Sequence, residues 1–127
     1  MFEQDYIVRM IKEMVRAILK LVFQIDSKAP TEELLKNEEE REKLQKLLDM
    51  VDAGQINEAE NQIYDLAVGG ERAEIMTALL FYSYLNDKSD SFLEEHDFCR
   101  KEIRDGVKRM ANALGVSGIA ELFTEEF

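Results

Sequence analysis

His96 is the single histidine of this 127-residue chain and Cys99 is its single cysteine, so metal or nucleophile chemistry would have to begin with them. They lie three residues apart on a predicted helix, a spacing that places two side chains on one face. With Glu95 and Glu102 nearby, this set could bind a metal ion or form a Cys–His pair. The competing interpretation is a partly exposed histidine and a small buried cysteine, which would be inert beside an apolar stripe.

Other patterns that carry chemistry are missing from the sequence. It contains no Cys-x-x-Cys, no His-x-x-x-His and no Glu-x-x-His, and Gly69-Gly70 lacks the further glycines and the lysine of a phosphate loop. Its 27 acidic residues make chance carboxylate pairs inevitable. We therefore predict no catalytic residue, no metal and no cofactor, and we keep a small metal-binding protein or enzyme using His96 and Cys99 as an alternative.

The charge argues against a nucleic-acid partner. Sixteen basic and 27 acidic residues give a formal net charge of -11, whereas a protein that binds phosphate backbones needs a basic surface. The acidity is uneven, because residues 1–25 carry four basic and three acidic side chains and the other 102 carry 12 and 24. A single cysteine excludes an internal disulfide. The early charges interrupt any signal-like apolar run, so we expect a cytoplasmic protein.

The first helix is predicted over residues 5–25 and is strongly amphipathic. A heptad seam with spacing 4, 3, 4, 3, 4 runs along it: Ile7, Ile11, Met14, Ile18, Leu21 and Ile25. This seam could pack into the chain's own bundle, or it could pair with a second subunit and act as an oligomer or partner interface. The helix could also lie on an anionic membrane, but its polar face is only weakly basic, which favours the first two roles.

Further helices are predicted over 31–53, 58–68, 72–86, 91–114 and 118–123, with Thr31, Asn57, Ser91 and Ser117 as their N-caps. The stretch 76–85 is apolar nearly all round, which is typical of a helix at the centre of a bundle. No segment alternates strictly between apolar and polar residues. The prediction is an all-α bundle of five to six helices in one domain, 1–127, with an N-terminal helix (1–25) as a candidate oligomerisation element and a helical body (31–127).

Residues 44–66 follow a helix, glycine turn, helix pattern that resembles half a tetratricopeptide repeat. Gly54 lies in the turn, and Ala59 stands where that repeat has a small residue, although a shift of 34 residues finds no second copy. Such hairpins present grooves to peptides or partner helices. Candidate groove residues are Tyr64, Tyr82 and Tyr84. They could equally be core residues whose hydroxyls are hydrogen-bonded.

Over nearly its full length the chain resembles a small bacterial family of uncharacterised, cytoplasmic helical proteins. Four phrases carry the resemblance: Glu3-Gln-Asp-Tyr-Ile-Val-Arg-Met-Ile11, Ile56-Asn-Glu-Ala-Glu-Asn61, Phe81-Tyr-Ser-Tyr-Leu-Asn86 and Phe92-Leu-Glu-Glu-His-Asp-Phe98. The resemblance implies a tetratricopeptide-like fold and no particular chemistry. We therefore predict a non-enzymatic protein-interaction or adaptor module with a protein partner and a possible homodimer through the first helix. A peripheral membrane protein is the third hypothesis.

Overall fold

The computed structural model describes residues 2–24 and 37–119, with the side chains of the first segment described from Tyr6 onward. These residues form six helices: α1 (Phe2–Phe23), α2 (Glu38–Asp52), α3 (Ile56–Val68), α4 (Arg72–Asn86), α5 (Asp90–Glu95) and α6 (Arg100–Ala113). A further helical turn begins at Ser117. No strand occurs within these ranges, and the predicted all-α bundle is confirmed.

Helix α4 is the centre of the bundle, as its composition predicts. It packs against α1, α2, α3 and α6, and ten of its fifteen residues are buried. A helix surrounded on all sides needs apolar side chains around its whole circumference. The single apolar stripe that suits a helix at the surface would leave polar groups buried here.

Helices α1 and α6 both run antiparallel to α4. The Arg72 guanidinium at the start of α4 donates to the backbone carbonyl of Val22, near the end of α1. At the opposite end of α4, Asn86 donates from Nδ2 to the Val8 carbonyl at 2.9 Å. Side-chain bonds to backbone at both ends of the pair fix the register of α1 on α4.

The start of α6 is attached to the end of α4 through Arg100, which is buried. Its guanidinium donates to the Asn86 carbonyl at 2.6 Å and to the Lys88 carbonyl at 2.5 Å, and its Nε donates to the Asp90 carboxylate at 3.1 Å. The last carbonyls of a helix lack intrahelical partners. Arg100 supplies donors to the backbone at this point, and its own charge is neutralised by Asp90.

Helices α2 and α3 form an antiparallel hairpin with a tight turn at Gly54. The Gly54 N–H donates to the Val51 carbonyl at 2.9 Å, and the Gln55 N–H donates to the Met50 carbonyl at 2.8 Å. Gly54 has φ +86°, the left-handed region that glycine adopts without steric cost. A Cβ there would also lie 2.4 Å from Nε2 of His96. Both facts make glycine the residue that fits this turn.

The start of α2 differs from the sequence prediction. A continuous helix from Thr31 was expected, but the described helix begins at Glu38, with Asn37 as its N-cap in extended conformation. The Asn37 side chain accepts from the Glu39 N–H at 2.8 Å, and glutamates fill the first turn, where the helix dipole favours negative charge. Thr31 lies outside the described residues.

The start of α3 is also corrected, because Asn57 is not its N-cap. The helix begins two residues earlier than predicted, at Ile56, whose side chain is fully buried. Burial of Ile56 brings that residue into the first turn, so Asn57 lies inside the helix and contacts the Asp97 carbonyl at 3.5 Å. Glu60, three residues after Asn57 as in a capping box, is instead buried and takes part in a different interaction, described below.

The predicted helix 91–114 is two helices in the structure. Ser89 caps α5 by accepting from the Phe92 N–H at 3.1 Å, so Ser91 is not the cap. The chain leaves α5 through Asp97, at φ +56°, and this places Phe98 in the core. Cys99 then begins α6, and its N–H donates to the Glu102 carboxylate at 3.1 Å. Periodicity could not show this break, because the apolar spacing resumes after it.

Candidate functional site

The apolar seam of α1 faces the inside of the bundle. Ile11, Met14 and Ile18 are completely buried against the neighbouring helices, and Ile7 packs against the same core. Leu21, in the last turn, is 65% exposed. Ile25, the last member of the predicted seam, lies outside the described residues. For this seam to meet a second subunit or a membrane, α1 would have to leave α4 and α6.

The outward face of α1 is basic. Four exposed cationic side chains follow one another at helical spacing over about 16 Å of rise: Arg9, Lys12, Arg16 and Lys20. We call these four residues the basic face. Among the exposed side chains described from Tyr6 to Gln24, Glu13 is the one acid, and it lies 3.6 Å from Arg16 in an exposed pair of little energetic weight. The face therefore keeps a net positive charge.

The three candidate groove tyrosines lie at different depths. Tyr82 on α4 is completely buried, Tyr84 on the same helix is half-buried, and Tyr64 on α3 is 38% exposed. Each hydroxyl has a partner: Glu60 for Tyr82, Asp52 for Tyr84 and Arg109 for Tyr64. Whether the exposed edges of Tyr64 and Tyr84 line a groove for a partner stays a prediction.

A polar cluster that reaches from the core to the surface joins α3, α4 and α6, with Tyr82 and Glu60 buried and Tyr64 and Arg109 exposed. The Tyr82 hydroxyl donates to the Glu60 carboxylate at 2.8 Å, and the Arg109 guanidinium lies 3.6 Å from the same oxygen. Arg109 also donates to the Tyr64 hydroxyl and lies over the Tyr64 ring, 4.8 Å from its centroid. The long aliphatic stem and planar head of arginine suit such a stacked position at the edge of a core.

Burial controls the proton equilibria of this cluster. Loss of hydration raises the pKa of Glu60, although the hydrogen bond from Tyr82 and the charge of Arg109 act in the opposite direction. Burial, together with the neighbouring Glu60 carboxylate, raises the pKa of Tyr82. Tyr82 therefore stays a hydrogen-bond donor, and the cluster holds α3, α4 and α6 together as a structural unit.

Gly106 on α6 makes room for the Tyr82 ring. A Cβ at position 106 would lie 2.2 Å from Cζ and 2.6 Å from the hydroxyl oxygen of Tyr82. Sequence reasoning missed Glu60 and Arg109 as partners of a tyrosine, since they are distant in the chain. Gly106 was the available signal, because it is the one glycine inside an apolar-periodic segment, where glycine costs helix stability.

A second polar group lies where α2 and α4 end. The Tyr84 hydroxyl and the Lys88 ammonium both donate to the Asp52 carboxylate at 2.7 Å, and Lys88 also lies over the Tyr84 ring. The hydrogen bond from Lys88, and then that from Tyr84, lower the pKa of Asp52, and the bond to Asp52 raises the pKa of Lys88. These groups tie the end of α4 to the hairpin.

His96 and Cys99 do not share a helix face. His96 is the C-cap of α5 and Cys99 is the N-cap of α6. Nδ1 of His96 donates to the Phe92 carbonyl at 2.7 Å, since a carbonyl can only accept, and Nε2 lies against Gly54. Cys99 is exposed, which corrects the expectation of a buried thiol. No group of three or more potential metal ligands occurs within the described part of the chain.

A shallow groove of about 300 Å³ lies between α2 and α3. Leu47 and Leu66 form its apolar floor, and its polar walls are Lys43, Lys46, Gln62 and Asp65. Lys43 is already engaged, because its ammonium lies 3.6 Å from Glu40 and 3.8 Å from Glu74. The groove has the size of a small-ligand pocket, but its mixed charges favour no particular ligand class.

The described structure places this protein in the class of all-helical bundles. Comparison with known proteins gives its family. Residues 1–115 match the model of a family of unknown function, DUF6483. The chain belongs to that family. No curated protein and no solved structure matches it. Among the described helices, none is long and apolar enough to span a membrane.

Proposed function

We propose that this chain is a non-enzymatic protein-interaction module that binds an acidic protein surface through the basic face of α1. The observation that carries the proposal is the outward position of Arg9, Lys12, Arg16 and Lys20 in a chain whose net charge is -11. Exposed charges of one sign steer an oppositely charged partner toward the surface that carries them.

The burial pattern of α1 supports a protein partner over a membrane. A helix that lies in a membrane interface inserts its apolar side chains between the lipids. Here Ile11, Met14 and Ile18 are buried in the core, and the outward face carries the basic side chains. The exposed large apolar side chains in the described part of α1 are Tyr6 and Leu21. A nucleic acid would be repelled by the acidic remainder of the molecule.

The positions of the potential catalytic groups support an interaction role. His96 uses Nδ1 to bind the Phe92 carbonyl, and Glu60 is buried against Tyr82 and Arg109. These groups contribute to holding the bundle together. We therefore place the function on the outer surface of the helices.

The test is retention of partners from a cell extract on immobilised wild-type protein and on two charge-matched variants. Lys12→Glu/Lys20→Glu reverses two charges of the basic face and leaves Arg16 between two new glutamates. Arg41→Glu/Lys46→Glu makes the same change of charge on exposed positions of α2. We expect the wild type and the α2 variant to retain proteins that the α1 variant does not retain. We expect these proteins to elute at high salt. Equal retention on all three would refute the proposal.

A further inference from the structure

The rest of the chain carries charge of the opposite sign to the basic face of α1. The 102 residues that follow position 25 carry 12 basic and 24 acidic side chains. Exposed acidic residues gather at the start of α2 and around α5: Glu38, Glu39, Glu42, Glu94, Glu95 and Asp97. A second copy of the chain therefore brings an acidic surface of the sign that the basic face attracts.

The charge pattern also excludes one arrangement of two copies. If the two α1 helices met by their outward faces, four cations would oppose four cations around a two-fold axis, and like charges repel. Pairing through the apolar seam would require Ile11, Met14 and Ile18 to leave the core. The arrangement that avoids both costs places the basic face of one copy on the acidic body of the other.

We infer that the basic face of α1 binds the acidic body of a second copy of this chain. This inference rests on the proposed function and names the partner. In a two-fold dimer the contact occurs twice, once in each direction, because the basic face and the acidic body exchange roles between the copies. Exposed ion pairs are weak and are screened by salt, so the association is weak and depends on ionic strength.

The first experiment is sedimentation velocity over a concentration series at roughly 20 mM and roughly 500 mM NaCl, which bracket the range of strong and weak screening. We expect the wild type to associate at low salt, with an association constant at least about tenfold lower at high salt. Lys12→Glu/Lys20→Glu should sediment as a monomer in both buffers. Arg41→Glu/Lys46→Glu adds negative charge beside Glu38, Glu39 and Glu42, so it should associate at least as tightly as the wild type at low salt. Circular dichroism should show that all three proteins are folded.

The second experiment distinguishes the inferred arrangement from contact between two α1 helices. Fluorescently labelled Lys12→Glu/Lys20→Glu is mixed with unlabelled wild type at low salt. Because the variant keeps its acidic body, it should bind the basic face of the wild type while failing to bind itself. If the outward faces of α1 met each other, the opposite charges would make this mixed complex tighter than the wild-type dimer, and that result would overturn the inference.

Two further outcomes separate this inference from the proposed function. A wild type that stays monomeric at low salt, but retains another protein through the basic face in the extract experiment, overturns the inference and leaves the proposed function intact. A monomeric wild type that instead floats with phosphatidylserine vesicles, and loses this on Lys12→Glu/Lys20→Glu substitution, overturns both. Association that is equal in the α1 variant and the wild type also overturns the inference.

Discussion

Tyr82 occupies the space that a side chain at position 106 would need. Its ring packs between α4 and α6, and its hydroxyl bonds to Glu60, so one residue contributes apolar contacts and a polar bond to the same core. A buried tyrosine needs a hydroxyl partner, and a buried carboxylate needs donors. The two requirements are met together in this cluster, which makes its members sensitive to small changes.

Gly106→Ala is expected to destabilise the protein by about 1–3 kcal/mol, because the new methyl group overlaps the Tyr82 ring. Alanine would otherwise favour the helix by about 1 kcal/mol. Urea unfolding followed by circular dichroism measures the difference. Gly69→Ala is the control, since the nearest atom to its new methyl group, the Leu66 carbonyl oxygen, would be 3.9 Å away and its φ is -70°. An unchanged or raised unfolding free energy for Gly106→Ala would contradict the packing described.

Glu60 is expected to make stability depend on pH in an identifiable way. Burial raises its pKa in the folded protein, so the folded state binds a proton more readily than the unfolded chain does. Its contribution therefore becomes more favourable as pH falls through the folded-state pKa, and it is lost as pH rises. Groups with a lowered pKa, such as Asp52, act in the opposite direction because their contribution is lost on acidification.

Comparison with Glu60→Gln isolates that contribution from those of the other carboxylates. The unfolding free energy of the wild type minus that of the variant should decrease as pH rises from the ordinary pKa of a glutamate through the raised one. Urea unfolding at a series of pH values gives the curve. A difference that increases over this window would show that Tyr82 and Arg109 stabilise the carboxylate more strongly than burial destabilises it.

At the scale of elements, the ends of the helices carry the specific connections. Hydrogen bonds link Asn86 at the end of α4 to Val8 on α1 and to Arg100 on α6. The positive φ of Asp97 sets the angle between α5 and α6. Apolar surfaces can slide over one another at little cost, whereas a buried hydrogen bond is satisfied in one position only. The polar ends therefore fix the register in which the apolar faces pack.

Arg100→Met should lower the unfolding free energy by about 2–4 kcal/mol, because it leaves the Asn86 and Lys88 carbonyls without their buried donors. Methionine retains much of the apolar stem, so the loss reports mainly on the guanidinium. Lys101→Met, on the exposed neighbouring residue, is the matched control and should change stability by less than about 0.5 kcal/mol. Chemical unfolding of both variants decides the matter. Equal effects would show that Arg100 has no special role in joining α4 to α6.

At the scale of the whole molecule, the main feature is the large excess of negative charge. A net charge of -11 on 127 residues gives repulsion within the folded state, and the basic face of α1 reduces it locally. The excess of acidic side chains therefore opposes the compact form of the isolated chain, whereas the basic face of α1 relieves part of that repulsion.

Salt is expected to stabilise the isolated protein. Raising NaCl from roughly 20 mM to roughly 200 mM shortens the screening length, so the thermal midpoint should rise by about 2–5 °C. Lys12→Glu/Lys20→Glu, whose net charge is -15, starting from -11, should show a larger increase. Calorimetry at dilute protein, where association is negligible, measures both. A midpoint that falls with salt would mean that attractive ion pairs outweigh the net repulsion.

Local spacing was sufficient for the helical class of this fold and for α4, but not for the starts of α2 and α3 or the break between α5 and α6. The sequence by itself indicated an all-helical chain and placed α4 at about Arg72 to Asn86, which agrees with the structure, because apolar periodicity and glycine or asparagine at helix ends act over a few residues. It also determined that α4 is central, since an apolar circumference has no other stable environment in water. The family membership adds no chemistry to this.

Contacts between residues distant in the chain could be identified only from the tertiary structure. The bonds from Tyr82 to Glu60 and from Arg109 to Tyr64 span 22 and 45 positions, and no spacing rule connects them. The break at Asp97 likewise depends on the core that receives Phe98. Sequence determined which side chains of α1 are apolar and which are basic. Only packing against α4 and α6 decided that Ile11, Met14 and Ile18 are enclosed and that the basic face is exposed.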